Sequence, residues 1–442
     1  MSVRSIFLLI AMAISLFIAF TSSSKAGGNP QTTGPAPTLP EPFATSSAVK
    51  FPKVIGWPEG RTPSAPEGFR VTLYAEGLQS PRWLYVLPNG DVLVAESSSE
   101  KFAGVPPELE AVLREARMMM RSANRITLLR DTDKDGKPEV RETFLQGLNQ
   151  PFGMLLLGNW FYVANTDAVV RYPYSEGQTR IDAKGEKILD LPAGGYNNHW
   201  TRNLIANPDG SKLYVTVGSQ TNADEEGLDA KEPRRAVILE VNPDGSGMRI
   251  FASGLRNPNG MDWAPGTNTL WTVVNERDGL GDELVPDFLT SVKDGAFYGW
   301  PYSYFGQNED PRQKGKRPDL VAKAVVPDFA LGAHTASLGL VFYRGTAFPE
   351  RYQGGAFISQ HGSWNRSRFT GYKVVFVPFK EGKPSGEMED FLTGFIADEQ
   401  RSEVYGRPVG LAVLPDGSLL VSDDGAGKIW RVSATRTAGS NR

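Results

Sequence analysis

The chain has 442 residues, with 47 Lys and Arg against 50 Asp and Glu, 47 glycines, 32 prolines, three histidines and no cysteine. So even a charge argues against a nucleic-acid partner, because phosphate binding asks for a basic excess. The lack of cysteine excludes disulfides, thiolate metal sites and cysteine nucleophiles, and three histidines leave few groups for base or metal chemistry.

In chain order, Arg4, the apolar run Ile6 to Phe20 and the small residues Ser24 and Ala26 predict a secretory signal over 1–26, with an uncleaved anchor as the alternative. A periplasmic or secreted mature chain beginning near Gly27 follows, with no transmembrane segment in it. Residues 27–50, rich in Pro, Gly, Thr and Ser, predict a flexible tether. Residues 51–435 form the folded domain and 436–442 a disordered tail.

Within 51–435 one pattern recurs: an apolar segment, a Gly-containing turn and a second apolar segment. It spans Trp83 to Glu96, Met154 to Asn165, Leu204 to Gly218, Met261 to Asn275, Leu338 to Gln360 and Leu411 to Asp423. Each reads as a hairpin, since glycine supplies the positive φ of the turn and the flanks are β-branched and aromatic. A strand such as Phe144 to Gln146 or Phe251 to Ser253 precedes most hairpins, and one such as Val237 to Val241 follows. Four strands per unit and about 65 residues between repeats predict an all-β, six-bladed β-propeller of four-stranded antiparallel blades. A seventh blade between Gly266 and Gly354 is the alternative. The strand from Phe69 to Tyr74 is placed to close the ring beside the C-terminal strands. Glu108 to Met120 reads as a helical insertion. Asp131 to Glu142 satisfies an EF-hand loop expression, but its flanks read as strands, so an Asp-rich hairpin competes with a lone calcium loop.

Successive connections alternate between the two ends of the strands, so the hairpin turns share one face. The other face receives Arg82, Gln150, Asn198, His199, Arg256, Asn257, His334 and Arg407 before the first strands. After the second strands it receives Glu96, Asn165, Asn222, Glu276, Asp278, His361, Arg366 and Asp424. All three histidines fall here, which predicts a site at this mouth of the channel. Several arginines suit a ligand with several carboxylates; a three-histidine metal site remains open.

Here the chain resembles the soluble quinoprotein glucose and sorbosone dehydrogenases. The likeness rests on Asn198-His199, Leu255-Arg-Asn-Pro-Asn-Gly260, Tyr298-Gly-Trp-Pro301, His361-Gly-Ser-Trp-Asn-Arg366 and Arg407-Pro-Val-Gly410. Ala333-His-Thr-Ala-Ser337 and the last two of these look most like the sorbosone branch. The resemblance implies a six-bladed propeller using pyrroloquinoline quinone (PQQ) with Ca2+. It implies His199 as general base, Arg256 polarising the quinone, and Gln150, Asn257, Arg366 and Arg407 contacting the cofactor. Asp278 stands where the family offers backbone carbonyls to calcium, beside Arg277, which would repel the ion; a second calcium site is implied at Glu283 and the Tyr298 carbonyl. The function implied is oxidation of an aldose or related aldehyde, with the electron acceptor unspecified. A calcium-dependent lactonase on the same fold, with Glu96, Asn165 or Asp424 holding the metal, and a non-catalytic propeller that binds protein or glycan are the alternatives.

Overall fold

The computed structural model describes residues 32–100, 105–194 and 199–435. The expected signal over 1–26, the tail over 436–442 and Asn198 lie outside the described residues. The chain is mostly β, and most of its strands fall into six antiparallel sheets, five of four strands and one, the fourth, whose four strands gain Thr33–Gly34 as a fifth. The first runs Pro81–Val86, Val92–Glu96, Arg125–Arg130, Val140–Gln146, and the second Met154–Leu157, Trp160–Ala164, Ala168–Pro173, Glu186–Asp190. The third is Leu204–Ala206, Leu213–Val217, Val237–Val241, Arg249–Ser253, and the fourth Asn257–Trp263, Leu270–Asn275, Pro286–Ser291, Phe329–Ala333. The fifth is Ser337–Phe342, Ala356–Gln360, Lys373–Val377, Glu389–Leu392. The sixth joins Pro408–Val413, Leu419–Asp423 and Lys428–Ala434 to Phe69–Ala75. That last pairing is the predicted closure: Phe69 stands opposite Ala434 and Val71 opposite Val432.

The first strands of successive sheets touch in order, and Pro408–Val413 returns to touch Pro81–Val86. Second strands such as Val92–Glu96 and Leu213–Val217 are buried throughout, while last strands such as Glu186–Asp190 and Arg249–Ser253 are largely exposed. This gradient explains the continuous apolar runs of the second strands, whose two faces are covered by neighbouring sheets. Aromatic rings fill the seams: Trp83 meets Phe152 at 4.7 Å, Tyr214 meets Trp263 at 5.6 Å and Trp271 meets Phe379 at 5.0 Å between centroids. Edge-on and tilted ring pairs of this kind contribute beyond their buried area.

One expectation needs correcting, and two stretches left with alternatives take definite form. The stretch read as a flexible tether is a docked strap from Thr33 onward. Thr33–Gly34 pairs with Phe329–Ala333, Phe43 donates its amide to the Leu280 carbonyl at 2.7 Å, and Lys50 donates to the Trp364 carbonyl at 2.8 Å. The gap after Gly266, where a seventh blade was the alternative, builds no further four-stranded sheet among the described residues; it completes the fourth and adds an excursion with a short hairpin, Ser303–Tyr304 with Asn308–Glu309. The Asp-rich loop joins two strands, and Glu139 rather than Glu142 brings its carboxylate to Asp131, Asp133 and Asp135. The helical insertion is present as Pro107–Glu115. No helix among the described residues is long and apolar enough to cross a membrane.

Candidate functional site

His199 leads into the third sheet. Its Nδ1 lies 2.9 Å from the Ser219 carbonyl and 3.0 Å from Ser219 Oγ. That hydroxyl gives its own proton to the Thr221 carbonyl at 2.7 Å, so both partners can only accept from the ring. Nδ1 therefore carries the hydrogen and the lone pair sits on Nε2. Burial first and the Arg256 charge second hold the imidazole pKa well below 6.5, so the ring is neutral at neutral pH. Ser219 follows Gly218, where an added Cβ would lie 2.6 Å from both Asn257 Oδ1 and His199 Cβ. Only glycine permits that approach of three chain segments.

Arg256 is buried and fixed by carbonyls. Its Nε donates to Asn222 O at 3.0 Å, Nη1 to Glu276 O at 2.7 Å and Nη2 to Asn222 Oδ1 at 2.9 Å, with Asp278 Oδ2 3.4 Å from Nη2. Asp278 also accepts from Asn365 Nδ2, which in turn lies 3.0 Å from His334 Nδ1. Burial alone would raise the Asp278 pKa, but Arg256, His334 and His199 outweigh it and hold the carboxyl at about 2. The structure thus brings His199, Arg256, Asn257, Asp278 and His334 into one constellation. Asn257 Oδ1 is buried with no hydrogen-bond partner among the described residues.

A second cluster adjoins it. Asp424 accepts from His361 Nε2 at 2.8 Å and from Arg82 Nη1 at 2.6 Å, and the Arg82 guanidinium lies 5.4 Å from the Trp200 ring. Burial and then the Arg407 charge push the His361 pKa down to about 4. Arg407 is 2% exposed, yet among the described residues its guanidinium hydrogen-bonds only to the carbonyls of His361, Ala116 and Gly362, at 3.3 to 3.4 Å, with the Tyr372 ring 6.0 Å away. A buried cation so loosely matched has capacity for an anion.

The remaining expected residues stand elsewhere. Gln150 Nε2 donates to Ser98 O at 2.9 Å, at the base of the helical insertion. Arg366 pairs with Glu283, so the residue expected to meet the cofactor and the one expected to hold calcium are engaged with each other. The Tyr298 ring is buried in the core and its hydroxyl donates to Ser291 O at 2.6 Å. Arg277 Nε lies 3.0 Å from Asp310 Oδ2 in a buried ion pair without hydrogen-bond geometry, and its charge also acts on Asp278. A calcium ion at Asp278 has to compete with Arg256 and Asn365 for the carboxylate. The three histidines do not converge as a metal site among the described residues. Ser219 was not legible as a partner of His199; the Gly before it at a strand end is the one signal.

The glucose/sorbosone dehydrogenase family model matches residues 162–363, and a TrAA12-like model matches 305–435. An uncharacterised protein of Borreliella burgdorferi is 31% identical over 300 residues, covering 66% of this chain and 77% of that one. The aldose sugar dehydrogenase of Escherichia coli is 27% identical over 283 residues, covering 58% and 68%. Among solved structures, the holo PQQ domain of Coprinopsis cinerea pyranose dehydrogenase superposes with a TM-score of 0.67 at 21% identity, over 87% of this chain and 100% of that one. The PQQ-bound aldose sugar dehydrogenase of Streptomyces coelicolor gives 0.55 at 18% identity, over 84% and 99%. These structures share the fold.

Proposed function

We propose, from the premise that the chain belongs to the glucose/sorbosone dehydrogenase family of PQQ-dependent soluble sugar dehydrogenases, that it oxidises an aldose or related aldehyde with His199 as general base. The six sheets are read as blades of one propeller, supported by the ring of contacts among their first strands. A periplasmic location belongs to the same reading and rests on the expected signal.

The observation that carries the reading is the His199 tautomer. With Nδ1–H committed to the Ser219 carbonyl, Nε2 is the atom that accepts the substrate hydroxyl proton. Arg256 disfavours the imidazolium before reaction, while the Asp278 carboxylate offsets the charge His199 acquires. The residues fit a PQQ-like group: Arg407 lacks a carboxylate partner among the described residues, and the buried Asn257 Oδ1 is unmatched. PQQ, when bound, supplies the two-electron acceptor for the hydride leaving the sugar carbon. Arg407 and Asn257 would hold it, and Arg256 would place a fixed positive charge at the reacting end. Calcium enters only through Asp278, against the competition of Arg256 and Asn365.

The test is reconstitution of the full chain with PQQ, with and without Ca2+, and dye reduction across a panel of sugars and aldehydes. Turnover that needs PQQ is expected, with EDTA abolishing it and Ca2+ restoring it. Turnover without PQQ overturns the assignment, and full activity in a metal-free preparation removes calcium from it.

A further inference from the structure

The strap that replaces the expected tether ends against the second cluster. Lys53–Val54 runs parallel to Glu403–Val404, and Ile55 donates its amide to the Val404 carbonyl at 2.9 Å. Trp57 then enters an aromatic nest, 5.3 Å from Phe395 and 5.1 Å from Trp430 between centroids. Its indole Nε1 donates to Asp423 Oδ2 at 2.7 Å. The other oxygen of that buried carboxylate accepts the backbone amides of Arg407 at 2.8 Å and Ala426 at 3.0 Å. Trp430 Nε1 also reaches Oδ2, but at 3.3 Å. The pocket is built for this carboxylate, since a Cβ at position 406 would fall 2.0 Å from it and only glycine leaves the room.

For Arg407 this arrangement is decisive. The 2.8 Å amide bond to Asp423 is its shortest; every guanidinium contact is 3.3 Å or longer. A side chain waiting for an anion is aimed by its backbone when its head is loosely held. That backbone is tied to Asp423, and the best side-chain donor to Asp423 comes from the strap.

We propose that the N-terminal strap completes the candidate cofactor site, with Trp57 as a positioning residue that fixes Arg407 through Asp423. This rests on the reading that Arg407 receives an anionic group of PQQ. Losing the indole N–H leaves Asp423 Oδ2 with the long Trp430 contact alone, so the carboxylate can turn and release the Arg407 amide. Trp57→Phe keeps an aromatic ring in the nest and removes the donor, separating packing from positioning.

The experiment titrates PQQ into the apo full chain as parent, Trp57→Phe, Arg407→Lys and the double variant, with thermal melts and hydrogen exchange at the Arg407 amide. Trp57→Phe should weaken PQQ binding by roughly 5- to 20-fold, less than the loss of a charge-assisted bond itself because Trp57 acts on the cofactor only through Asp423 and Arg407. In the Arg407→Lys background it should add less than about 2-fold, because residues that act through one another are not additive. Parental affinity in Trp57→Phe, or an equal loss in both backgrounds, overturns the proposal. If Trp57→Phe does not fold, Asp423→Asn takes its place in the same cycle. A parent that binds no PQQ overturns the cofactor reading instead. Exchange at Arg407 then decides the positioning claim alone, faster in Trp57→Phe if it holds and unchanged if it does not.

Discussion

The two ends of the central channel differ in kind. Toward the hairpin turns lies a cavity of about 770 Å³, lined by Trp83, Tyr85, Leu155, Met261, Val341 and Leu411 and rimmed by Arg344 and Asp416. All three histidines and the buried Arg256 and Arg407 belong to the opposite end. The roomy end offers volume with ordinary polarity; its charged pair, Arg344 with Asp262, closes on itself. At the other end an orphaned amide oxygen, a loosely matched buried guanidinium and a neutral imidazole are held in place at a cost in stability. Buried polar groups of that kind are unfavourable unless something uses them. Space alone therefore does not single out the proposed reactive end; the unmatched buried groups beside His199 and Arg407 are what support it.

The sharpest contrast between the two ends is expected at His199. His199→Gln should lower turnover by roughly 100-fold or more, the scale of losing a general base, while PQQ binding stays close to parental. Near-parental turnover would take the base away from this residue. The pH profile adds a sign. The base works as the neutral ring, so kcat/KM falls as pH drops through a pKa that burial and Arg256 hold below 6.5. Arg256→Ala removes one of those two causes and leaves Asp278 to favour the imidazolium, so the acid limb should move to higher pH. A limb that stays put would show that Arg256 does not help set the His199 pKa.

Next in size is Arg407. If it receives an anion, Arg407→Ala should weaken PQQ by about 10- to 150-fold, the span of one charge-assisted bond. Lysine should recover only part, because it keeps the charge and loses the planar fork. Equal affinity of parent, Ala and Lys forms in titration, with matching apo melts, would leave Arg407 a purely structural cation under the Ala116 carbonyl.

What could be read in advance divides by range. Hairpins were legible because turn glycines and apolar runs are local signals, and the closure by Phe69 followed from one strand left over at the N-terminal side. The site face was legible too, since alternation of connections places His199, Arg256, Asp278, His361 and Arg407 together whatever their partners. The pairings were not. Trp57 and Asp423 lie 366 positions apart, and the strap has no periodicity because it is held by single bonds rather than by a buried face. Arg366 and Glu283 were each assigned a ligand from motif position, yet they meet each other across 83 positions. Motif spacing also chose Glu142, whereas the strand pairing of Arg125–Arg130 with Val140–Gln146 turns the loop so that Glu139 faces the aspartates.

The smallest effect is expected at the cavity end. Arg344 donates through Nη1 and Nη2 to the two oxygens of Asp262 at 2.9 and 2.8 Å, but its side chain is 49% exposed. Asp262 keeps two backbone donors without it, from Phe342 at 2.7 Å and Trp263 at 2.8 Å, so Arg344→Ala leaves no stranded buried charge. A pair with one half-exposed partner contributes about 0.2–1 kcal/mol, so the melting temperature should fall by at most a few degrees. PQQ affinity, turnover and the pH profile should match the parent, because no group at the reactive end touches this pair. If the large cavity were instead where sugar or cofactor binds, removing the charged residue at its rim should change KM or PQQ affinity several-fold. A KM shift without a matching loss of stability would move the candidate site to the other mouth of the channel.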